Sequence, residues 1–478
     1  MSTNPTQAII IGGSIAGLLA ARVLSDHFDQ ITVIERDRLP DEGAYRNGVP
    51  QARHLHTLLV RGQRIMDDLF PGFTDDLIEA GAPTAVWGLA NRFYTTGGWT
   101  QVFDSGIVSN ICSRAELEWL VRRRVYAISN IRFLTERDVL SLVANENHTV
   151  VTGVHIEARI DHSTETLYAD LVVDASGRSS KTPEWLADLG YQRPAETIID
   201  AHNGYATRWY EKPDGERSEF PLAVAVQPRP KEGNYRGGGL IEVEGGRWAV
   251  TLLGANADYP PTTEAEFIDF AKSLPTPAIY DMIKDAKPIS AIAGYRRLEN
   301  RQRHYERMAR IPENFIVMGD AACALNPIYG QGMSTAAMEA EALGKLMGQW
   351  LPLAMRERGW GEGLVGFAAA FQKRLAQIVR EPWLMAASED LRYPNVEGSK
   401  PDFMTRFSQK YFDLVARAMP YDNAVTTSFF ESMTLLRPPT SMMRPAILLR
   451  VLRHNLFGHR ATRNAPTLAT GEWSTVQS

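Results

Sequence analysis

Three short stretches of the chain combine glycine, a carboxylate or hydroxyl, and a helix start in patterns that could hold an anionic ligand. The first is Gly12-Gly13-Ser14-Ile15-Ala16-Gly17, which follows the apolar run QAIII at 7–11 and opens the small, apolar stretch SIAGLLAARVLSDH at 14–27. Glycines at such positions allow a tight turn, close approach of backbone to a pyrophosphate, and close helix–strand packing. The helix start adds free N–H groups and the positive end of a dipole. Ser14 stands where this G-x-G-x-x-G pattern has its second glycine, and its hydroxyl can donate to a phosphate. Glu35 ends the next strand-like run, ITVIE at 31–35, where an acid is expected to hold ribose hydroxyls. Arg36 follows it and joins the candidate cofactor-binding residues. Strand, glycine turn, helix, strand and acid together predict a dinucleotide site.

The second stretch, GDAACALNPIYGQGMST at 319–335, follows the run FIVM. Gly319-Asp320 places a carboxylate at the C-terminal end of a strand, where ligands bind in parallel sheets. Pro327 and Gly330-Gln331-Gly332 then open a further helix. Its first N–H groups suit an acceptor with partial negative charge, such as a reduced flavin near N1 and O2. The third stretch, Asp174-Ala175-Ser176-Gly177-Arg178-Ser179-Ser180, closes the strand-like run DLVVD. It also fits an ordinary strand-to-loop turn.

These three motifs, in this order, resemble the group A FAD-dependent monooxygenases of the para-hydroxybenzoate hydroxylase type, over roughly residues 6–345. The resemblance implies that Asp320 binds the ribityl chain of FAD. It implies that Pro327, Gly330, Gly332 and Met333 lie against the isoalloxazine, and that the stretch from Asp174 through Gly177 meets both FAD and a passing NAD(P)H. The family aspartate usually stands nearer its glycine; here Ser176 intervenes. GVPQARHLHTLL at 48–59 resembles a loop of the hydroxylase and polyether-type epoxidase branch, in which an arginine, here Arg53, sits by the FAD. A solvated surface arginine is the plainer reading. His54 and His56, two residues apart, would not share a helix face, which speaks against a metal site. Arg114 matches the family arginine that reaches the FAD phosphates, and as a cation at a helix start it opposes the dipole there. Val139 stands where the family strand contacts adenine, though a core valine would look the same.

The elements that must position these residues read as α/β. A Rossmann-like FAD-binding domain (1–194 and 301–345) carries an inserted antiparallel-sheet substrate domain (195–300) and a helical C-terminal region with a polar tail (346–478). Ser113 and Glu116 predict a capping box for a helix over 114–127. Residues 131–160 read as alternating strands with a turn near 145–148, and a helix is expected near His56 to Leu69. AVAV (223–226), GGLIEV (238–243) and RWAVTLL (247–253) read as strands of the insert.

With hydrophobic residues at 44%, charged residues at 22% and a net charge of −5, the composition is globular and speaks against a nucleic-acid partner. Cys112 and Cys323, the only cysteines, read as packing residues and fit a reducing cytoplasm. The apolar start reads as a strand and helix rather than a signal peptide. No uninterrupted apolar run reaches spanning length. Residues 444–460 (RPAILLRVLRHNLFGHR) form a basic, apolar-faced helix that suits docking on its own domain or peripheral contact with a membrane.

Because the cofactor carries the chemistry, no side chain is assigned as catalytic. The resemblance implies NAD(P)H as a transient reductant and O2 as co-substrate. Oxygen would be transferred from a flavin C4a-hydroperoxide, by hydroxylation or epoxidation. Halogenating relatives carry a Trp-x-Trp-x-Ile-Pro block, and none occurs among the ten tryptophans. Dehydrogenase or reductase action would use the same cofactor motifs, as would a redox-inactive FAD-containing binding protein. Trp350, Trp360, Trp383, Met385, Met404, Phe429, Phe430, Met433, Met442 and Met443 suggest a hydrophobic substrate such as a polyketide or terpenoid, or simply a helical core. A monomer or a dimer fits equally.

Overall fold

The computed structural model describes residues 5–213, 221–296, 298–357 and 364–458. Its centre is a five-stranded parallel sheet in the order 315–317, 171–174, 7–11, 30–34, 131–134. Helices cover it, so its strands are nearly continuous apolar runs; four of the five residues of Gln7–Ile11 are buried. The register sets Ile11 beside Asp174 and Ile34, and Asp174 beside Val317. That alignment brings the loops beginning at Gly12, Glu35, Ala175 and Met318 to one edge of the sheet, where a ligand can meet all of them.

The glycine turn is enforced by packing. Gly12 has φ +106°, and a Cβ there would lie 2.5 Å from the Ala175 carbonyl oxygen. A Cβ on Gly17 would lie 1.8 Å from the Gly12 oxygen, so the helix Ile15–Leu24 can start this close to the strand only with glycine. On its other side this helix packs against the long helix Gly332–Glu357.

Residues 131–134 do not continue into the hairpin that follows. They form the edge of the parallel sheet, beside 30–34. Residues 137–144, 151–158 and 164–168 make a separate antiparallel sheet.

A seven-stranded sheet runs in the order 293–295, 204–211, 247–254, 236–243, 223–226, 91–95, 98–99. Its last two strands precede the 195–300 segment in the chain, and 223–226 pairs with 91–95 in parallel. Alternation divides its two faces. Trp248, Val250, Leu252 and Leu240 pack under the helices Glu264–Lys272 and Ala278–Ile283. Tyr205, Thr251, Leu253 and Ile241 face the central cavity.

The C-terminal helices Phe367–Asp390, Phe403–Ala418, Asn423–Met433 and Pro445–Phe457 close the other side. Helix Pro445–Phe457 docks through buried Val451, with Ile447 and Leu448, and leaves Leu449, Leu456 and Phe457 exposed. Among the described residues no helix is long and apolar enough to cross a membrane.

Two local expectations change. The helix expected from His56 begins at Val60, because residues 55–59 form no regular element and are tied to a strand of the seven-stranded sheet at one end and to helix Gly332–Glu357 at the other. Leu55 N donates to Thr251 Oγ1 and Leu59 N to Ser334 Oγ. The capping box is half formed. Ser113 Oγ accepts from Glu116 N at 3.2 Å, but Ser113 N donates to Glu244 rather than to Glu116.

Candidate functional site

One cavity of about 1800 Å³ runs from the edge of the parallel sheet to the seven-stranded sheet and the C-terminal helices. Pockets for a single small molecule occupy roughly 300–1,000 Å³, so this one has room for a dinucleotide and a second molecule.

At the nucleotide end the cavity is lined by Gly12, Ser14, Ile15, Ala16, Glu35, Arg36, Arg46, Arg114 and Val139. Behind that surface lies an ionic network centred on Glu118. Its carboxylate accepts from Ser14 Oγ (2.8 Å), pairs with Arg114 (2.7 Å) and Arg46 (2.8 Å), and lies 3.7 Å from Arg122. Burial alone would raise its pKa; Arg114 and Arg46, with the bonds from Ser14 and Arg46, overcome this and hold it at about 2. Glu35 accepts from Gly13 N (2.8 Å) and Asp37 N (3.0 Å) and pairs with Arg46 (3.2 Å). Glu35 thus braces the glycine turn while its side chain still borders the cavity.

This network alters the reading of Ser14. Its hydroxyl proton goes to Glu118 and its oxygen accepts from Arg114 Nη2 at 2.8 Å, so the group it can offer a phosphate is its amide. It also answers the charge conflict at Arg114, whose partner lies one helical turn on. Three guanidinium nitrogens of this network, Arg46 Nη2, Arg114 Nη1 and Arg122 Nε, are buried without a partner among the described residues, and the first two belong to residues that line the cavity. Buried unpaired donors of this kind are costly unless a ligand completes them. By that criterion the residues fit a dinucleotide pyrophosphate.

Arg53 does not reach the cavity. Its side chain is exposed and lies over the Tyr45 ring, 5.1 Å from the centroid, at the end of a 3-10 turn, Pro50–Arg53, whose buried residue is Ala52. Arg46, not singled out in the sequence, occupies the site's edge instead. Gly13 and Gly17 lie beneath the turn rather than on the cavity wall.

Asp174 is also behind the wall. Fully buried, it accepts from Ser176 N (2.9 Å), Ser180 Oγ (2.5 Å) and Thr182 Oγ1 (2.5 Å), and so pins the 175–182 loop from below. Ser176, Gly177 and Arg178 face the cavity.

Midway along, Asp320 borders the cavity, pushed above the usual carboxylate range by burial against the pull of Arg178 and Arg114. Gly319 has φ +61°, and a Cβ on it would lie 2.8 Å from the Ala16 Cβ; this glycine lets the second motif sit on the first. Gly319 N donates to Glu339 Oε2 at 2.6 Å. Burial pushes Glu339 up to about 8, with the Gly319 amide opposing and Asp320 adding to the rise. A Cβ built on Gly332 would have only Asp320 Oδ1, at 3.9 Å, as a near neighbour, so open space lies beside that helix start. Pro327, Gly330, Gln331 and Met333 border the same space.

The Pro327 turn is anchored by Asp390, a buried residue of the C-terminal helix. Asp390 accepts from Asn326 Nδ2 (3.0 Å), Tyr329 OH (2.9 Å), Asn300 Nδ2 (2.6 Å) and Asn203 Nδ2 (3.1 Å). Burial raises it to about 6, against its bonds from Asn326, Tyr329 and Asn203. No local sequence signal marks Asp390, because its four donors come from distant segments. Glu118 had one such signal: it lies four residues after Arg114.

The far end is a largely apolar chamber. Trp87, Phe93 and Ile241 line it on one side, and Trp383, Met385, Met404, Phe429, Met433, Met442 and Met443 line it from the helices. Trp350 and Phe430 belong to the core instead, and Trp360 lies outside the described residues. Cys112 and Cys323 are buried and free, with their thiols pushed upward by burial. Among the described residues no group of three His, Cys, Asp or Glu side chains could hold a metal.

The chain is 32% identical over 466 residues to Protein Rv3254 of Mycobacterium tuberculosis, covering 95% of this chain and 94% of that one. The fold is similar to the flavin-dependent brominase Bmp2 (TM-score 0.63, 14% identity, 90% of this chain and 94% of that one). It is also similar to PqsL, a probable FAD-dependent monooxygenase of Pseudomonas aeruginosa (TM-score 0.57, 17% identity, 81% and 98%). The family model described as "FAD binding domain" matches residues 5–362. With three-quarters of its length matched and both glycine motifs converging on one cavity, the chain belongs to the FAD-binding family of the group A flavoprotein monooxygenase type.

Proposed function

We propose that the protein is an FAD-dependent monooxygenase that uses NAD(P)H and O2 to hydroxylate or epoxidise a hydrophobic small molecule. One observation carries this reading: a single cavity of about 1800 Å³ joins an end where Arg46 and Arg114 keep unpaired guanidinium nitrogens to a chamber lined largely by apolar side chains. FAD, when bound, supplies the redox and oxygen-transfer chemistry. The amides at Ser14–Ala16, with Arg46 and Arg114, would hold its pyrophosphate, and Glu35 its ribose. Val139 would border the adenine. Asp320 would hold the ribityl chain, and the Pro327–Met333 segment would border its ring. The apolar chamber would exclude water from the reacting centre.

Brominase-like folds make halogenation the second reading, but the tryptophan block of the halogenating branch is absent from the sequence. The test is the purified protein's visible flavin spectrum, followed by NAD(P)H oxidation and mass spectrometry of product formed under ¹⁸O2 with a panel of apolar substrates. Product carrying one labelled oxygen supports the reading. A halogenated product in the presence of bromide or chloride, without labelled oxygen, overturns it.

A further inference from the structure

On the wall that the seven-stranded sheet gives the cavity, one imidazole is held by several partners. His54 is buried at 3% exposure and borders the cavity. Its Nδ1 lies 2.9 Å from Thr207 Oγ1, and Thr207 Oγ1 lies 2.6 Å from Thr251 Oγ1. Thr251 Oγ1 in turn accepts from Leu55 N, which ties the hydroxyl chain to the segment that carries the histidine. Thr207 and Thr251 are directly opposed on neighbouring strands, so the sheet itself fixes their separation. Tyr205 and Tyr295 clamp the imidazole, with ring centroids 4.4 Å and 5.7 Å away.

We propose that His54 is the specificity-determining residue of the chamber, and that its Nε2 receives a hydroxyl group on an otherwise apolar substrate. This rests on the monooxygenase reading and adds to it the class of substrate. With Nδ1 taken by Thr207, Nε2 is the ring nitrogen without a protein partner among the described residues. His54 borders the cavity, so a ligand hydroxyl can reach a ring nitrogen that no protein group occupies, and a ligand without one forgoes that bond.

The class follows from charge and hydrogen-bond direction. Burial, then His56 and Arg53, pull the His54 pKa down to about 3, so the ring is neutral at working pH. It therefore offers no cation to a carboxylate. The Thr207–Thr251 chain can run in either direction, which leaves Nε2 as a donor in one tautomer and an acceptor in the other. A hydroxyl, both donor and acceptor, fits both tautomers. A bare hydrocarbon fits neither.

The test uses the FAD-loaded protein and three probes: 1-naphthol, naphthalene and 1-naphthoate. Binding is read from flavin fluorescence, which needs no turnover and so separates this proposal from the oxygenation reading. The expected result is a Kd for 1-naphthol about tenfold below that for naphthalene, the effect of one good hydrogen bond, with 1-naphthoate weakest. In His54→Leu the two neutral probes should bind within about twofold of each other, with FAD content unchanged; should that variant not fold, His54→Gln replaces it and should keep only part of the preference. Retention of the full preference in either variant overturns the proposal. So does tighter binding of 1-naphthoate than of 1-naphthol, or failure of all three probes to bind the wild type.

Discussion

Glu118 and Glu339 are both buried carboxylates on helices beside the same cavity, yet their surroundings differ in kind. Glu118 lies among Arg46, Arg114 and Arg122 and is held at about 2. Glu339 has no cation paired with it among the described residues, receives one backbone amide, and rises to about 8. The difference separates two roles. Around Glu118, charges are paired with one another so that several arginines can be buried together while Arg46 Nη2 and Arg114 Nη1, on residues that line the cavity, keep no protein partner among the described residues. At the Gly319 turn the acid is protonated, so it braces the backbone without placing a further negative charge beside Asp320. Buried charge is tolerated here only in company.

The largest effect should come from the glycine turn that both ends share. Gly12→Val would drive side-chain atoms into the Ala175 carbonyl and force a β-branched residue to φ +106°. The expected result is protein without FAD, read as the ratio of flavin to protein absorbance; a fully yellow variant would remove the basis for placing the nucleotide there. Next comes Arg114→Met, which deletes one cation of the network and one unpaired donor. FAD Kd should rise roughly 30-fold, about 2 kcal/mol for a charged hydrogen bond, measured by titrating apoprotein with FAD. An unchanged Kd would mean that the orphaned nitrogen faces no phosphate.

The sequence made the near-strand parts of this site legible and hid the long-range parts, for physical reasons. Gly12, Gly17 and Gly319 announce themselves because only glycine meets a positive φ or a close backbone contact, and that requirement is local. Glu35 and Asp320 are legible because strand ends in a parallel sheet fall on one edge. The position of Asp174 is legible but its role is not, since its three bonds go to Ser176, Ser180 and Thr182, which turns it from the wall to the scaffold. Arg53 misled because it closes a 3-10 turn, Pro50–Arg53, just before the chain enters the cavity wall. The residues after it, His54 to Thr57, line the cavity, while Arg53 itself stays exposed. The hairpin of 91–95 and 98–99 was invisible as part of the inserted sheet because the strand that joins it to that sheet, 223–226, follows more than a hundred residues later.

Asp390 tests the middle ground of the comparison. Four donors converge on it without any formal cation, so it is supported by hydrogen bonds alone. Asp390→Asn keeps the shape but turns one acceptor into a donor that faces other donors. The expected cost is about 2 kcal/mol, seen as a lower thermal midpoint. The Pro327–Tyr329 turn should loosen as well, which would shift the visible flavin spectrum while FAD content stays near normal. A lower midpoint with an unaltered spectrum would reduce Asp390 to a plain structural bond.

The effect that turns on pH, and the sharpest on the comparison, belongs to Glu339→Gln. Glutamine keeps an acceptor for Gly319 N, and glutamate at about 8 is itself uncharged at neutral pH. Little should change at pH 5, where both side chains are neutral in the folded state. The signs then diverge. As pH rises from near the ordinary carboxylate value of 4.5 toward 8, the unfolded chain releases the Glu339 proton while the folded chain retains it. The folded state then binds more protons, so wild-type stability falls with rising pH by at most about 1.4 kcal/mol per unit from this group, and the decline levels off above 8. The glutamine variant lacks that slope. Its thermal midpoint, measured on FAD-saturated protein, should lie closest to the wild type at pH 5 and exceed it progressively at pH 6.5 and 8. A difference that stays constant across that range would mean that Glu339 is ionised in the fold, and the contrast with Glu118 would be lost.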